Sequence, residues 1–393
     1  MYIEPEFEPT RDEMLEIIDQ NIKPLQKTER VMLEDALFRL SGEEICAEYD
    51  LPNRPVSMFD GISVRFSDFI SDTVDTSSWK EDIEYSFSNT GVAIKEEYDT
   101  VIAIEDVEFD SEGKLTVLLK PENAGENVGK IGGQMRRGEI LVKEGECITP
   151  EKIGILAAAG IMNLKVIKKP IVSFLPTGDE LVPVGAIIPP GKNAESNSYM
   201  VAASIRQWGG NPIRYPILPD QKDVLKKMLL QAVKSSDLVL ICAGSSKGTC
   251  DYTMEVLREI GSVIVQELGH GPGKHCSLSM VENVPVIGLP GPPGGTKLAS
   301  RYYVKAAMAK LMGQPLPRPE TVRAVLTDRI EGNWIDFIIP LKVEKEGDIY
   351  YAAPVDTWGM TRAKAQYASN GCFYCPKETN YKKGDVIDIE LLG

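Results

Sequence analysis

The clearest chemical pattern in the chain lies at residues 171–181, where an apolar run passes directly into a polar turn. The turn consists of Thr177, Gly178, Asp179 and Glu180. If the run is a strand of a parallel sheet, its carboxyl end lies at the edge where such sheets bind ligands. We therefore expect these four residues to contact a substrate. A plain polar turn is the alternative.

A second apolar run, residues 238–243, leads into a loop of small residues that carries one lysine. The loop contains Gly244, Ser245, Ser246, Lys247 and Gly248, and Asp251 follows it. Backbone N–H groups, hydroxyls and an ammonium group together suit a phosphate or another oxyanion. A flexible connector is the alternative for this loop.

Two more loops are likewise rich in small residues. Residues 286–295 turn at Pro290 and Gly291 before a predicted helix, which leaves room for a bulky ligand. Residues 269–275 present Lys274 between glycines, a proline and histidines. At the ends of successive strands, these loops indicate one anion-binding crevice. The chain has no Walker A or G-x-G-x-x-G match, which disfavours P-loop and dinucleotide sites.

The elements that position these loops can be predicted from periodicity and capping. Thr10 and Glu13 have capping-box spacing and open a helix, and a second helix is predicted over residues 29–40. Residues 46–142 alternate in short runs typical of strands. Thr149 and Pro150 open an alanine-rich helix that we expect to pack on the N-terminal helices, making the β-rich region an insertion.

From residue 169 onward, strands alternate with amphipathic helices, which is typical of a parallel sheet with helices on both faces, a three-layer α/β domain. The predicted strands are 171–175, 211–217, 238–243, 263–268 and 285–289, and the predicted helices are 197–208, 222–235, 252–260 and 295–312. A proline-rich linker at 313–319 precedes a small β-barrel or sandwich. The predicted domains are 7–45 plus 137–168 (helical linker), 46–136 (β-rich insertion), 169–313 (α/β) and 317–393 (barrel).

Composition narrows the possible partners. The 393 residues carry a net charge of −15, so nucleic acid and anionic membranes are not expected as partners. The start of the chain lacks the pattern of a secretory signal, and no apolar run is long enough to span a membrane. Seven scattered cysteines indicate reduced thiols and a cytoplasmic location, and two histidines make a histidine-based metal cage improbable.

In the order of its motifs, the chain resembles the molybdopterin molybdenumtransferase family, the MoeA type that includes the E domain of gephyrin. The resemblance rests on residues 51–65 around Phe59-Asp60-Gly61, on 176–181 and 195–197, on Asp220, and on the loops 244–251, 272–274 and 289–293. The β-rich region matches as well, through 125–128, 137–139 and 148–160.

This resemblance implies an elongated four-part chain and a homodimer in which the β-rich domain of one subunit faces the sheet crevice of the other. The implied reaction inserts molybdate into adenylated molybdopterin, with Mg²⁺, and releases AMP. Carried over by position, the catalytic candidates are Asp60, Glu180, Asp220 and Asp251. Asp60, Glu180 and Asp251 are the implied metal ligands. The implied ligand contacts are Asp99 and Thr100, the 177–179 turn, the 244–248 loop, Lys274, Pro290 and Gly291.

Two other functions stay open, the first of them because of departures from the family pattern. Gln134 stands where the family has a carboxylate, and residues 332–337 lack arginines expected there. A weakened paralogue that binds molybdopterin as carrier, maturation factor or regulator is therefore the first alternative. A nucleotide hydrolase of the competence-damage type, which shares only the sheet domain, is the second, and the matching N- and C-terminal regions oppose it.

Some suggestive residues are interpreted as structural. Cys372 and Cys375 have CxxC spacing but lie on a predicted strand, where residues three apart point to opposite faces. Trp334 and the other tryptophans are interpreted as packing residues. His270 and His275 are expected in a loop facing the crevice, where His275 is a candidate proton donor or anion contact and an ordinary loop histidine is the alternative.

Overall fold

The computed structural model describes residues 7–70, 74–242, 252–355 and 361–392. The chain divides into two compact units, one of residues 28–166 and one formed by the residues before 28 and after 166. We call them the insert unit and the sheet unit. None of the helices in the described ranges combines the length and apolarity needed to cross a lipid bilayer.

The chain opens with helix α1 (Arg11–Asn21), and the predicted capping box is confirmed. The Glu13 carboxylate accepts a hydrogen bond of 2.8 Å from the Thr10 backbone N–H, and the Thr10 hydroxyl accepts one from the Glu13 N–H. Met14 and Ile18 bury the apolar face of α1 in the core of the sheet unit. The observed division thus assigns α1 to the sheet unit, whereas the predicted linker domain groups residues 7–45 with 137–168.

In its described residues, the insert unit is built from short strands, one α-helix and short 3₁₀ turns. Its strands are β1 (Thr28–Met32), β2 (Ile45–Cys46), β3 (Val56–Ser57), β4 (Gly61–Val64), β5 (Tyr85–Ser88), β6 (Thr100–Ala103), β7 (Val107–Phe109), β8 (Leu115–Val117), β9 (Val128–Gly129), β10 (Ile140–Val142) and β11 (Asn163–Ile167). Strand β4 lies between β5 and β6, antiparallel to both. Helix α2 (Pro150–Ala158) begins as predicted, with Thr149 as its N-cap.

The predicted second helix over residues 29–40 is wrong. This stretch forms β1 and then a single 3₁₀ turn, Leu33–Asp35. Strand β1 pairs with β11, and Leu164 and Val166 of β11 are fully buried. A pairing partner more than a hundred residues away therefore outweighs the local helical pattern, because tertiary packing overrides intrinsic propensity.

The sheet unit contains the remaining elements. Its strands are β12 (Ile171–Pro176), β13 (Leu181–Val182), β14 (Asn193–Ala194), β15 (Asn211–Arg214), β16 (Leu238–Cys242), β17 (Ser262–Val265), β18 (His270–Gly271), β19 (Ser277–Val281), β20 (Val284–Leu289), β21 (Thr321–Leu326), β22 (Asp336–Glu346), β23 (Ile349–Pro354), β24 (Gly371–Cys375) and β25 (Val386–Leu391). Its later helices are α3 (Asn197–Gln207), α4 (Lys222–Ser235), α5 (Tyr252–Ile260), α6 (Pro293–Ala299), α7 (Lys305–Leu311) and α8 (Arg362–Ala368).

The main sheet has the order β15-β12-β16-β20-β19-β17. The first four strands are parallel, as predicted, whereas β19 is antiparallel to both β20 and β17. Alternate residues of β16 enter different cores: Leu238 and Leu240 pack with α1, α3 and α7, and Val239 packs with α4 and α5. Helices therefore cover both faces, which gives the predicted three-layer architecture.

The predicted helix over residues 295–312 is present as α6, a π-helical segment (Ser300–Val304) and α7. Beyond it, β22, β23, β21, β25 and β24 pair in that order, and β24 pairs back onto β22, so the strands close into a barrel. Cys372 packs in the core shared with the main sheet, and Cys375 lies inside the barrel. The prediction that these two thiols point to opposite faces is confirmed.

Candidate functional site

The turn after β12 is shaped by one glycine. Gly178 has a φ of +145°, and a Cβ atom there would lie 2.5 Å from a carboxylate oxygen of Glu180. The Glu180 side chain thus folds back over the Gly178 backbone, an approach that only glycine permits. The Thr177 N–H donates to the Cys242 carbonyl at 2.9 Å, and the Gly178 N–H donates to the Leu218 carbonyl at 3.2 Å. These bonds fix the turn against β16 and the segment that follows β15.

Asp179 and Asp220 meet at this edge of the sheet. The Asp179 N–H lies 3.4 Å from the Asp220 carboxylate, and the Asp220 N–H lies 3.3 Å from the Asp179 carboxylate. Each acid thereby caps the backbone of the other. Together with Glu180, they place three carboxylates beside the carboxyl end of β12. The structure thus brings together three of the acids that the sequence predicts for the site.

The Pro290–Gly291 turn is held by side chains for which the sequence analysis predicted no role. The Asn197 amide donates to the Gly291 carbonyl at 2.8 Å and to the Cys242 sulfur at 3.3 Å. Thr296 donates its hydroxyl to the Pro290 carbonyl. Burial raises the pKa of Cys242 to about 11, so this residue acts as a neutral thiol in the packing.

We call the group formed by Thr177–Glu180, Asp220, Cys242 and Pro290–Gly291 the strand-end site. It joins the carboxyl ends of β12, β16 and β20, which are adjacent parallel strands. The Asn197 carboxamide oxygen is buried there without a hydrogen-bond partner among the described residues. Asn197 starts α3 within the matching 195–197 segment, which is the only sequence signal that could have identified it.

The Lys274 loop lies next to this site. A Cβ atom on Gly295 would lie 3.0 Å from the Pro290 ring and 3.6 Å from the Gly273 nitrogen, so the loop packs closely against the Pro290 turn. The Lys274 ammonium, however, is paired with the Glu8 carboxylate at 2.8 Å and lies 4.0 Å from that of Glu267. The predicted anion-binding lysine is therefore neutralised by the protein itself.

The two histidines of this loop differ from each other. His270 is 2% exposed, and its Nε2 atom lies 2.5 Å from the Tyr303 hydroxyl, so the expectation that it faces the crevice is wrong. It lies on β18, which pairs with β22. Burial lowers the pKa of His270 to about 4, which keeps the ring neutral at pH 7. His275 is more exposed and lies 3.0 Å from the Glu267 carboxylate through Nδ1.

Trp334 corrects another expectation. It is 69% exposed and therefore is not a packing residue. Its ring centroid lies 5.7 Å from the Lys274 ammonium, within the range of a cation–π contact.

The insert unit holds the other predicted site residues. The Asp60 carboxylate is exposed and accepts hydrogen bonds from the N–H and the hydroxyl of Thr90, which hold the pKa of Asp60 below its usual range. Thr100 is fully buried, and its hydroxyl donates to Asp99 and accepts from the Gly125 N–H. The Thr100 hydroxyl is thus engaged within the insert unit, and its contact with a ligand stays a prediction. The predicted residues 244–248 and Asp251 lie outside the described ranges.

In the parts of the chain that the structure describes, no group of three or more histidine, cysteine, aspartate or glutamate side chains is arranged to hold a metal ion. The three acids of the strand-end site offer oxygen ligands of the type that Mg²⁺ prefers. The donor atoms thus have suitable chemistry, but their arrangement does not by itself form a complete metal site.

Comparison with known proteins gives consistent matches. Residues 10–160 match the family model of the MoeA N-terminal region (domain I and II), and residues 173–328 match that of a probable molybdopterin binding domain. A molybdopterin molybdenumtransferase of Haemophilus influenzae is 30% identical over 299 residues, which cover 73% of this chain and 74% of that protein. One of Bacillus subtilis is 26% identical, with 93% and 90% covered. A solved molybdopterin biosynthesis MoeA protein of Pyrococcus horikoshii has a TM-score of 0.81 at 27% identity, with 98% and 100% covered.

Proposed function

Because the chain belongs to the MoeA family of molybdopterin molybdenumtransferases, we propose that it inserts molybdate into adenylated molybdopterin and releases AMP. The observation that supports this proposal most directly is the strand-end site. There, turns from adjacent parallel strands meet within the residues that match a molybdopterin binding domain. In the proposed reaction, water cleaves the phosphoanhydride bond between AMP and the phosphate of molybdopterin. The two dithiolene sulfurs then bind molybdenum in place of one molybdate oxygen, which leaves as water with the two thiol protons.

The acids of the site support a role for Mg²⁺ in this proposal. Asp179, Glu180 and Asp220 would repel a nucleotide that carries phosphates, and a divalent cation held by such acids would offset this repulsion. Asp60, Glu180 and Asp251 remain proposed metal ligands through their match to the family motifs, and Asp220 is proposed to orient the water or the metal. When bound, Mg²⁺ would supply charge neutralisation for the departing phosphate.

The alternative functions are not favoured. Relatives across most of the chain are named as transferases, which speaks against a carrier or regulator. The match of residues 10–160 to the MoeA N-terminal region speaks against a hydrolase that shares only the sheet domain.

The experiment is incubation of the purified protein with adenylated molybdopterin, Mg²⁺ and molybdate, following both AMP and active cofactor. We expect coupled formation of both products. An Asp220→Asn variant should lose most of this activity, whereas Glu16→Gln, an equal charge change at an exposed position of α1, should keep it. Nucleotide binding without either product would overturn the transferase and restore the carrier hypothesis. Higher activity in the Gln134→Asp variant would show that the missing carboxylate limits the rate of the wild type.

We also propose that the protein acts as a homodimer, with small molecules as its other partners, in the cytoplasm. The cysteines in the described ranges form no disulfide, which is consistent with a reducing compartment. Light scattering tests the dimer: a strictly monomeric species would contradict it.

A further inference from the structure

A large aromatic ring is held in solvent by a well-anchored loop. Trp334 lies in the loop that leads into β22 and is 69% exposed. The Gly332 N–H donates to the Asn380 side chain at 2.8 Å, and the Glu378 N–H donates to the Asn333 carbonyl at 2.7 Å. A Cβ atom on Gly332 would lie 2.5 Å from the Thr379 nitrogen, so the backbones pack too closely for any other residue. The exposure of Trp334 is therefore built into the fold.

The fold also fixes the position of Lys274 beside this ring. Strand β18 runs parallel to β22, with His270 opposite Asp336 and Gly271 opposite Phe337. The Lys274 carbonyl accepts a 2.7 Å hydrogen bond from the Leu268 N–H, so the loop after β18 folds back beside the residues that precede β18. In the parallel register those residues are level with the loop before β22, and the Lys274 ammonium lies 5.7 Å from the indole centroid. Glu8 holds the same ammonium at 2.8 Å. The ring and the charge thus form a fixed pair.

This pair continues into the strand-end site. Gly273, one residue before Lys274, packs on Gly295, and Gly295 packs on the ring of Pro290. The order through the fold is therefore the Pro290 turn, then the Lys274 loop, then the exposed indole. A ligand with phosphates at one end and a flat ring at the other has the matching order of groups.

We propose that Trp334 is a stacking platform for the planar nitrogen heterocycle of the ligand, with Lys274 contacting the polar group next to that ring. The inference rests on the proposed function, because it assigns a ligand contact within the same site. An indole face binds flat heterocycles by stacking and does not require a particular hydrogen-bond pattern. Pterin and purine rings share this chemistry, and the experiment separates them.

The test is calorimetric titration of the full-length protein with AMP and, separately, with free pterin. Stacking contributions of this type predict a loss of about tenfold in affinity for Trp334→Ala and near-normal affinity for Trp334→Phe. If Trp334→Ala loses affinity for AMP, Trp334 stacks on the purine; if it loses affinity for free pterin, Trp334 stacks on the pterin ring. Phe38→Ala is the matched control, because Phe38 is 66% exposed and belongs to the insert unit.

Tryptophan fluorescence gives a second readout. Ligand should quench the emission of the wild type, and Trp334→Phe should remove that quenching while leaving the melting temperature unchanged. If the wild type binds AMP or pterin and Trp334→Ala binds both as tightly, the platform is refuted while the proposed function stands. If the wild type binds neither ring compound nor adenylated molybdopterin, both are refuted.

Discussion

Replacing Glu8 by glutamine should strengthen the binding of anions at Lys274. The Glu8 carboxylate lies 2.8 Å from the Lys274 ammonium, and the backbone next to it is fixed by a 2.9 Å hydrogen bond from the Gly269 N–H to the Pro9 carbonyl. Glu267, whose side chain is 5% exposed, is a second carboxylate 4.0 Å from the ammonium. A phosphate that approaches Lys274 must therefore compete with Glu8.

The expected gain in anion affinity depends on how exposed the Lys274–Glu8 ion pair is. The side chains of Lys274 and Glu8 are 24% and 31% exposed, so water screens their attraction in part. Partly exposed ion pairs are worth at most about 1 kcal/mol, which corresponds to roughly a fivefold change in affinity. Glutamine keeps the shape of the side chain and removes only the competing charge. We expect Glu8→Gln to bind AMP about fivefold more tightly than the wild type.

The assay is calorimetric titration with AMP at low and at high salt. The gain should shrink at high salt, because counterions screen charges near the surface. The double variant with Lys274→Ala should lose the gain, and Glu16→Gln, which removes one charge from an exposed position of α1, should show none. Equal tightening in Glu16→Gln would point to net charge alone. Unchanged or weaker binding in Glu8→Gln would refute the competition.

Three further predictions concern stability, each measured by chemical denaturation. Gly61→Ala should destabilise the insert unit by about 3 kcal/mol, because a carbonyl oxygen of β6 would lie 1.9 Å from the new Cβ atom. As its matched comparison, Gly154→Ala in α2 places a Cβ atom where no other atom lies within 4 Å, and it should stabilise the unit by about 0.5–1 kcal/mol. Tyr302→Phe should cost about 1–3 kcal/mol, since it removes the 2.5 Å hydrogen bond to Glu390 in a largely buried network, and an unchanged free energy of unfolding would contradict this. Burial lowers the pKa of His270 to about 4 in the folded protein, so its contribution to the free energy of unfolding is complete above about pH 6.5 and is lost as the pH falls toward 4. His270→Gln should therefore reduce the dependence of the free energy of unfolding on pH between 6.5 and 4.

Much of the fold follows from local sequence. The Thr10–Glu13 capping box and the Thr149 N-cap specify their helices because the required contacts lie within three residues. Strand β19 and the pairing of β1 with β11 were not predicted, since each depends on a partner that local periodicity does not reveal. Long-range pairing is the part of a sheet that a residue pattern leaves open.

The site residues also divide into those that local sequence predicts and those that depend on distant partners. The turn after β12 is predictable, because an apolar run followed by small and acidic residues marks a strand end. The roles of Asn197 and Glu8 were not predictable, since they depend on side chains far apart in sequence. The exposure of Trp334 was missed for a related reason: residue type favours burial, whereas the anchoring of its loop by residues 378–380 decides the outcome.

The central claim is that the nucleotide binds at the carboxyl ends of the parallel strands. Hydrogen–deuterium exchange of the intact protein, with and without adenylated molybdopterin and Mg²⁺, tests it most directly. We predict that the ligand slows exchange in residues 177–180, in the 271–275 loop and at Gly291, with little change in α4. Protection confined to other parts of the sheet unit, or no protection at a saturating ligand concentration, would contradict the account.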